Sequence, residues 1–274
     1  MAQAALEDLE LELLLEALHR RHGFDFRGYA LASLRRRVWR RVELDGLGTI
    51  TALTDRILHD DDTLARLMRD LSINVTEMFR DPGFHRALRE LAVPLLRTYP
   101  FVRIWNAGCS TGEEAYSVAI ALDEAGLLER SRIYATDMNE GALAQARTGA
   151  FPLERMQSYT ENYQRAGGTR SFSEYYVART GSAVFDERLA RNIVFAQHNL
   201  ATDRSFNEFH LIICRNVMIY FGRELQRHVH QLFLDSLVPL GLLGLGRKET
   251  IQPPDLAARY EPLEPTEKLF RRRR

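Results

Sequence analysis

The sequence predicts an α/β protein: a mostly parallel, doubly wound sheet preceded by a helical domain and interrupted by a small β insertion. Three observations predict it. From residue 102 onward short apolar runs alternate with amphipathic segments, the pattern of strands and helices interleaved in chain order. The first of those runs, inside IWNAGCSTGEEAY (104–116), stops at a glycine turn and re-emerges as a helix, which is how the first strand of such a sheet meets a ligand. Residues 1–71 show helical periodicity throughout and no strand signal.

The helical domain reads as four segments. LEDLELELLLEALHRRHG makes a helix over 6–22 that Gly23 ends. A second helix is expected to start near Asp25, with Leu31, Leu34, Val38 and Val42 as its apolar stripe, and to stop at Gly46. Thr49 then caps a helix through Leu58, and Asp61 or Asp62 caps another through Leu71. SINVTEMFR (72–80) breaks the pattern, and Asp81 with Pro82 reads as the cap and first turn of a helix reaching Arg97. Strands follow at 102–107, 132–136, 193–197 and 210–214, with helices at 113–125, 141–148 and 223–238 and a last strand at 242–246. Residues 151–191 interrupt this alternation; aromatic and β-branched residues flanking Thr180 and Gly181 predict a hairpin there. The predicted domains are therefore 1–71 and 72–274, with the insertion within about 151–192.

Length allows one large or two modest domains. Lys plus Arg equals Asp plus Glu, 37 against 37, so net charge points to neither nucleic acid nor membrane. The arginines are unevenly placed, however. In LRRRVWRRVEL (34–44), Arg36, Arg37, Arg40 and Arg41 could face an acidic partner, although arginine stems lying over apolar surface would read the same way. Two widely separated cysteines argue against a disulfide framework, the opening apolar stretch is broken by acids, and no run reaches the ~20 apolar residues of a membrane span. A cytoplasmic protein without membrane insertion is expected, with a monomer as the default.

Ligands in such sheets bind at the carboxyl ends of the strands. Here those ends carry the Gly108 loop, Asp137, Asn199 with Leu200, and Arg215 with Asn216. Gly108 and Gly112 allow a tight turn, and the helix beyond them offers N–H groups. Glu113 and Glu114 would repel a pyrophosphate and suit a cationic group instead. Asp137 can accept from a ribose diol or cap the next helix. A ribose at Asp137 and a cation near Glu114 describe S-adenosylmethionine better than a nicotinamide dinucleotide. His228 and His230 have no companions at ligand spacing, so no metal is expected.

The segments NVTEMFRDP (74–82), AGCSTGEEAYS (107–117), ATDMN (135–139), Asn199–Leu200 and CRNVMIYF (214–221) occur in an order that resembles the CheR family of chemotaxis receptor glutamate O-methyltransferases, over nearly the whole chain. The resemblance implies a Rossmann-like class I methyltransferase sheet. It implies contacts to S-adenosylmethionine, or its product S-adenosylhomocysteine, from Asn74, Thr76, Arg80, Gly108, Glu114, Asp137, Asn199, Leu200, Arg215 and Asn216. Arg80 and Tyr220 would shape the reaction centre. The implied partner is a chemoreceptor cytoplasmic domain, approached by the basic helix, or another acidic signalling protein; a non-catalytic module that binds the cofactor is the alternative class. The chain departs from the family where a His-Ser-Glu triplet is expected, having Arg247, Lys248, Glu249 and Thr250, and its insertion lacks a glycine-rich hairpin turn. The resemblance implies an insertion that can tether receptors by a C-terminal peptide; the departures bear on that tethering and on the identity of the receptor, and neither bears on methyl transfer.

Overall fold

The computed structural model describes residues 2–71 and 76–274. The chain forms two compact units: Met1–Asn74 together with Tyr220–His228, and Val75–Ile219 together with Val229–Arg274.

The first unit contains α1 (Ala2–His22), α2 (Leu31–Leu44), α3 (Ile50–His59) and α4 (Asp61–Leu71). Its core is built from the apolar faces of these helices, with Leu14, Leu34, Val38, Leu53 and Leu67 fully buried. Thr49 caps α3 by accepting from the Ala52 N–H at 3.1 Å. The cap of α4 is Asp60, one residue earlier than expected, accepting from Asp62 and Thr63. α2 also begins later than expected. Asp25 folds back onto Arg27, and Tyr29 forms an antiparallel bridge with Phe221, which holds residues 25–30 out of helical geometry.

The arginine-rich helix is two-faced. Arg36 and Arg40 are exposed. Arg37 and Arg41 are not available to a partner as the sequence reading supposed, because both are buried. Arg37 donates to the Leu71 carbonyl at 2.7 Å and to Ser33 Oγ at 2.8 Å, and its guanidinium lies 4.8 Å over the Tyr220 ring. Arg41 pairs with Asp70 at 2.5 Å and Asp45 at 3.0 Å. They fall on the same stripe as Leu34 and Val38, so helical periodicity turns them inward. Trp39 is half-buried on this helix.

The second unit opens with α5 (Pro82–Ala87), a π turn (Leu88–Ala92) and α6 (Val93–Leu96). Then come β1 (Val102–Ala107), α7 (Glu113–Glu124), β2 (Ser131–Asp137) and α8 (Glu140–Arg147). The insertion supplies β3 (Ala150–Pro152), α9 (Met156–Arg165), β4 (Tyr176–Arg179) and β5 (Ser182–Phe185). After α10 (Glu187–Ala190) follow β6 (Ile193–Gln197), β7 (Phe209–Cys214), α11 (Arg223–Ser236), β8 (Leu237–Leu245), α12 (Pro254–Ala257), β9 (Tyr260–Glu264) and β10 (Leu269–Arg272).

The main sheet has the order β6-β2-β1-β7-β8-β10-β9. Its first five strands are parallel, and β10 runs antiparallel to both its neighbours. This is a Rossmann-like, doubly wound sheet, as the strand pattern predicts. The order reverses between β1 and β7, the switch point at which doubly wound sheets take ligands. β3, β5 and β4 form a separate antiparallel sheet whose hairpin turns at Thr180 and Gly181. Trp105 on β1 is fully buried, donates its indole N–H to Thr136 Oγ1 at 2.8 Å, and meets Phe209 and Phe233 ring to ring. Among the described residues no helix is long and apolar enough to cross a membrane.

Candidate cofactor and methyl-transfer site

Because β2, β1 and β7 run parallel, their carboxyl ends share one edge of the sheet, and that edge collects Gly108, Asp137, Arg215 and Asn216. β6 pairs parallel to β2 and brings Asn199 and Leu200 to the same edge. The turn after β1 is tight. Gly108, Ser110 and Gly112 all have positive φ, at 77°, 51° and 97°. A Cβ on Gly108 would stand 2.4 Å from Val217, so glycine is required there by both conformation and space. The Gly108 and Cys109 N–H groups donate to the Thr136 carbonyl, at 2.7 and 2.9 Å, and the Ser110 N–H donates to Asp137 Oδ2 at 2.9 Å.

Asp137 does not cap α8. Asn139 does, accepting from Ala142 N–H at 3.2 Å, while Asp137 accepts from the Asn139 N–H at 2.9 Å as well as from Ser110. Burial raises the Asp137 pKa against the pull of those N–H groups. The Met138 N–H is directed at Asp137 as well; the carboxylate is half-buried and keeps some acceptor capacity beyond these backbone groups.

Glu114, in the first turn of α7, is committed on both oxygens. Oε1 accepts from Arg215 at 2.7 Å and Oε2 from Asn106 at 2.8 Å. Arg215 also reaches Asp81 at 2.6 Å and lies 4.2 Å over the Phe84 ring. Asp81, which the sequence suggests as a helix cap, makes no such cap bond; its φ of 52° turns the carboxylate toward Arg215. Two carboxylates against one guanidinium leave this trio one charge negative. Arg215 is buried to 6 % exposure, so it holds the two carboxylates in place more than it offers a free surface. Among the described residues its Nε and the Asn106 Oδ1 have no hydrogen-bond partner. An acceptor-rich, net-negative edge with a ribose-grade carboxylate one strand away fits a zwitterionic, cationic cofactor.

The turn after β7 is held by a residue that the sequence reading treated only as part of a departure. Glu249 is buried and accepts four backbone N–H groups: Gly246 at 2.6 Å, Asn216 at 3.1 Å, Val217 at 2.9 Å and Met218 at 2.8 Å. Burial raises its pKa despite these donors. They fix Asn216 at a φ of 60°. Cys109 and Cys214 are buried, and burial pushes both thiols far above their ordinary range, which makes them packing groups.

Asn74 lies outside the described residues. Thr76 and Arg80 are half-buried on the segment that leads into α5, with Arg80 adjacent to Asp81 of the charged trio. Asn199 is engaged in its own turn, accepting from Ala201 N–H at 3.0 Å, and Leu200 is buried. Tyr220 belongs to the helical unit, where its carbonyl accepts from Ala30 N–H at 2.9 Å. Among the described residues no cluster of His, Cys, Asp or Glu is arranged to hold a metal ion.

Residues 74–267 match the family description "CheR methyltransferase, SAM binding domain", and residues 9–72 match "CheR methyltransferase, all-alpha domain". The chain belongs to the CheR methyltransferase family. A Pseudomonas putida protein named as a candidate methyltransferase, Cher3, is 46% identical over 97% of this chain and 97% of its own length. Chemotaxis protein methyltransferase 2 of Pseudomonas aeruginosa is 32% identical over 88% of this chain and 86% of that protein. The chemotaxis protein methyltransferase of Escherichia coli is 28% identical over 89% and 85%. In this CheR protein the match to the S-adenosylmethionine-binding domain covers most of the unit that carries the strand-end carboxylates, while its residues 220–228 fall in the helical unit.

Proposed function

We propose that this CheR protein methylates glutamate side chains of a chemoreceptor cytoplasmic domain in the cytoplasm, using S-adenosylmethionine. The observation that carries the reading is the net-negative trio of Asp81, Arg215 and Glu114 at the switch point, one strand from Asp137. Asp137 would take the ribose diol, and Glu114 with Asp81 the ammonium of the aminoacyl end. The cofactor supplies a methyl group on a positively charged sulfur.

A glutamate carboxylate, with a reference pKa near 4.3, is already ionised at neutral pH, so no general base is needed. The carboxylate oxygen would take the methyl group, the electron pair of the carbon–sulfur bond would stay with sulfur, and a methyl ester and a neutral thioether would result. The protein's part is to strip water from the anion and aim it. Arg80 would steer it by charge-assisted hydrogen bonds, and Tyr220 would place one oxygen through its hydroxyl. The exposed Arg36 and Arg40 would meet the acidic receptor surface. Labelled methyl groups transferred to a chemoreceptor cytoplasmic fragment in base-labile form test the reading. Arg80→Ala is expected to lower turnover about 100-fold, the scale of a lost orienting contact, and near wild-type turnover would remove Arg80 from the mechanism.

A further inference from the structure

Arg80 sits between two residues in a conformation that ordinary side chains avoid. Phe79 has a φ of 53° and Asp81 one of 52°. A left-handed, non-glycine residue is strained and persists only where its surroundings hold it. A left-handed Phe79 relaxes by turning about its N–Cα bond, which changes the angle between the Met78–Phe79 peptide and the Cα–C bond that leads on to Arg80; holding that peptide in one orientation, with the Phe79 ring packed, therefore fixes the direction in which the chain reaches Arg80.

That single peptide group is gripped on both sides. Its carbonyl, on Met78, accepts from Asn162 Nδ2 at 3.2 Å. Its N–H, on Phe79, donates to Ser117 Oγ at 2.9 Å, and Ser117 in turn donates to the Glu113 carbonyl at 2.6 Å. Asn162 lies on α9 of the insertion and Ser117 on α7, the helix of the cofactor loop. α9 is seated by the same face: Tyr159 reaches Glu113 at 3.4 Å and Tyr163 donates to Glu124 at 2.6 Å, so residues 159, 162 and 163 follow the spacing of one helix face. The Phe79 ring is buried against Tyr163, at 5.3 Å between centroids. Ring packing fixes where the side chain lies, whereas only the two hydrogen bonds fix which way the peptide faces.

We infer that Asn162 and Ser117 are positioning residues for Arg80, acting by holding the Met78–Phe79 peptide in one orientation; the inference rests on the assignment of Arg80 above. It gives the insertion a role in methyl transfer distinct from partner recognition.

Asn162→Asp keeps the shape and replaces the donor with an acceptor facing the Met78 carbonyl; Ser117→Ala removes the other grip. In the full-length protein with a chemoreceptor cytoplasmic fragment, each variant is expected to lower turnover about tenfold, since small misplacements of an orienting group cost this much or more. S-adenosylhomocysteine affinity by calorimetry should fall clearly less than turnover does, a split that general destabilisation would not produce. Hydrogen exchange at the Phe79 amide should quicken while the amides of β1 stay protected. In an Arg80→Lys background the same substitutions should add less than about twofold, because residues acting through one group are not additive. Wild-type turnover and unchanged Phe79 exchange in both variants would overturn the inference, as would equal losses in the two backgrounds. If Arg80→Lys itself keeps wild-type turnover, the assignment of Arg80 fails and takes the positioning role with it. Quickened Phe79 exchange would then mark that result as a failure of Arg80 and not of the grip. Should Asn162→Asp not fold, Ser117→Ala carries the same comparison.

Discussion

Two turns at the same edge of the sheet are each tied down by one carboxylate, and the two carboxylates are used differently. Asp137 takes backbone N–H groups from Ser110, Asn139 and Met138, and remains half-buried with capacity to spare. Glu249 accepts four, from Gly246, Asn216, Val217 and Met218, and is closed off from solvent at 4 % exposure. A carboxylate has about four acceptor sites. Glu249 has therefore used all of its capacity on the backbone, and Asp137 has kept part of its own. The contrast separates a residue that builds the site from one that can also bind in it.

Three measurements would break or sharpen that contrast. Glu249→Ala strands four N–H groups around Asn216 and is expected to lower the unfolding free energy by about 3 kcal/mol, the penalty of buried donors left without partners. Chemical denaturation measures it, and a loss below about 1 kcal/mol would mean that water or the chain re-satisfies the turn. Asp137→Ala should act on the ligand instead, weakening S-adenosylhomocysteine by about 2 kcal/mol, or some thirtyfold, for a lost charge-assisted contact. Its denaturation midpoint should move less than that of Glu249→Ala, because the N–H groups it leaves are fewer and nearer to water. If affinity holds and stability falls, Asp137 is only a tie like Glu249.

The smallest effect is one of pH. Because burial raises the Asp137 pKa in the folded protein above its ordinary 3.8, the carboxylate gains its proton earlier as pH falls. A folded-state pKa that is raised favours the folded form on acidification, so this group does not drive acid unfolding. Binding runs the other way, since the ligand needs the anion. Affinity by calorimetry should begin to decline at a pH above 3.8, and Asp137→Asn should flatten that decline.

The parallel strands were readable because buried strands appear as short apolar runs, and their order in the chain set which ends meet. Helix α9 was not. Its segment, MQSYTENYQR, is mostly polar, and only Met156, Tyr159 and Tyr163 go inside, which looks like loop composition. The antiparallel β9 and β10 were hidden by half-exposed, charged sequences, and the first half of β8 by Pro239 and Gly241 amid a register shift. Within the site, residue type pointed to Asp137, whereas the roles of Asp81 and Glu249 depend on backbone angles and on distant partners. Arg37 and Arg41 show the same limit. Their type suggested a basic surface, and their position on the apolar stripe of α2 places them inside.

The chain holds two tryptophans, and the fold assigns one to each compact unit. Trp105 is sealed in the sheet three residues before Gly108, among aromatic rings and with its indole N–H satisfied, while Trp39 stands half in water on the arginine helix. Each unit thus carries its own intrinsic fluorophore, in environments different enough to be told apart by colour. With Trp39→Phe, the remaining emission becomes a label-free optical gauge of events at the end of β1.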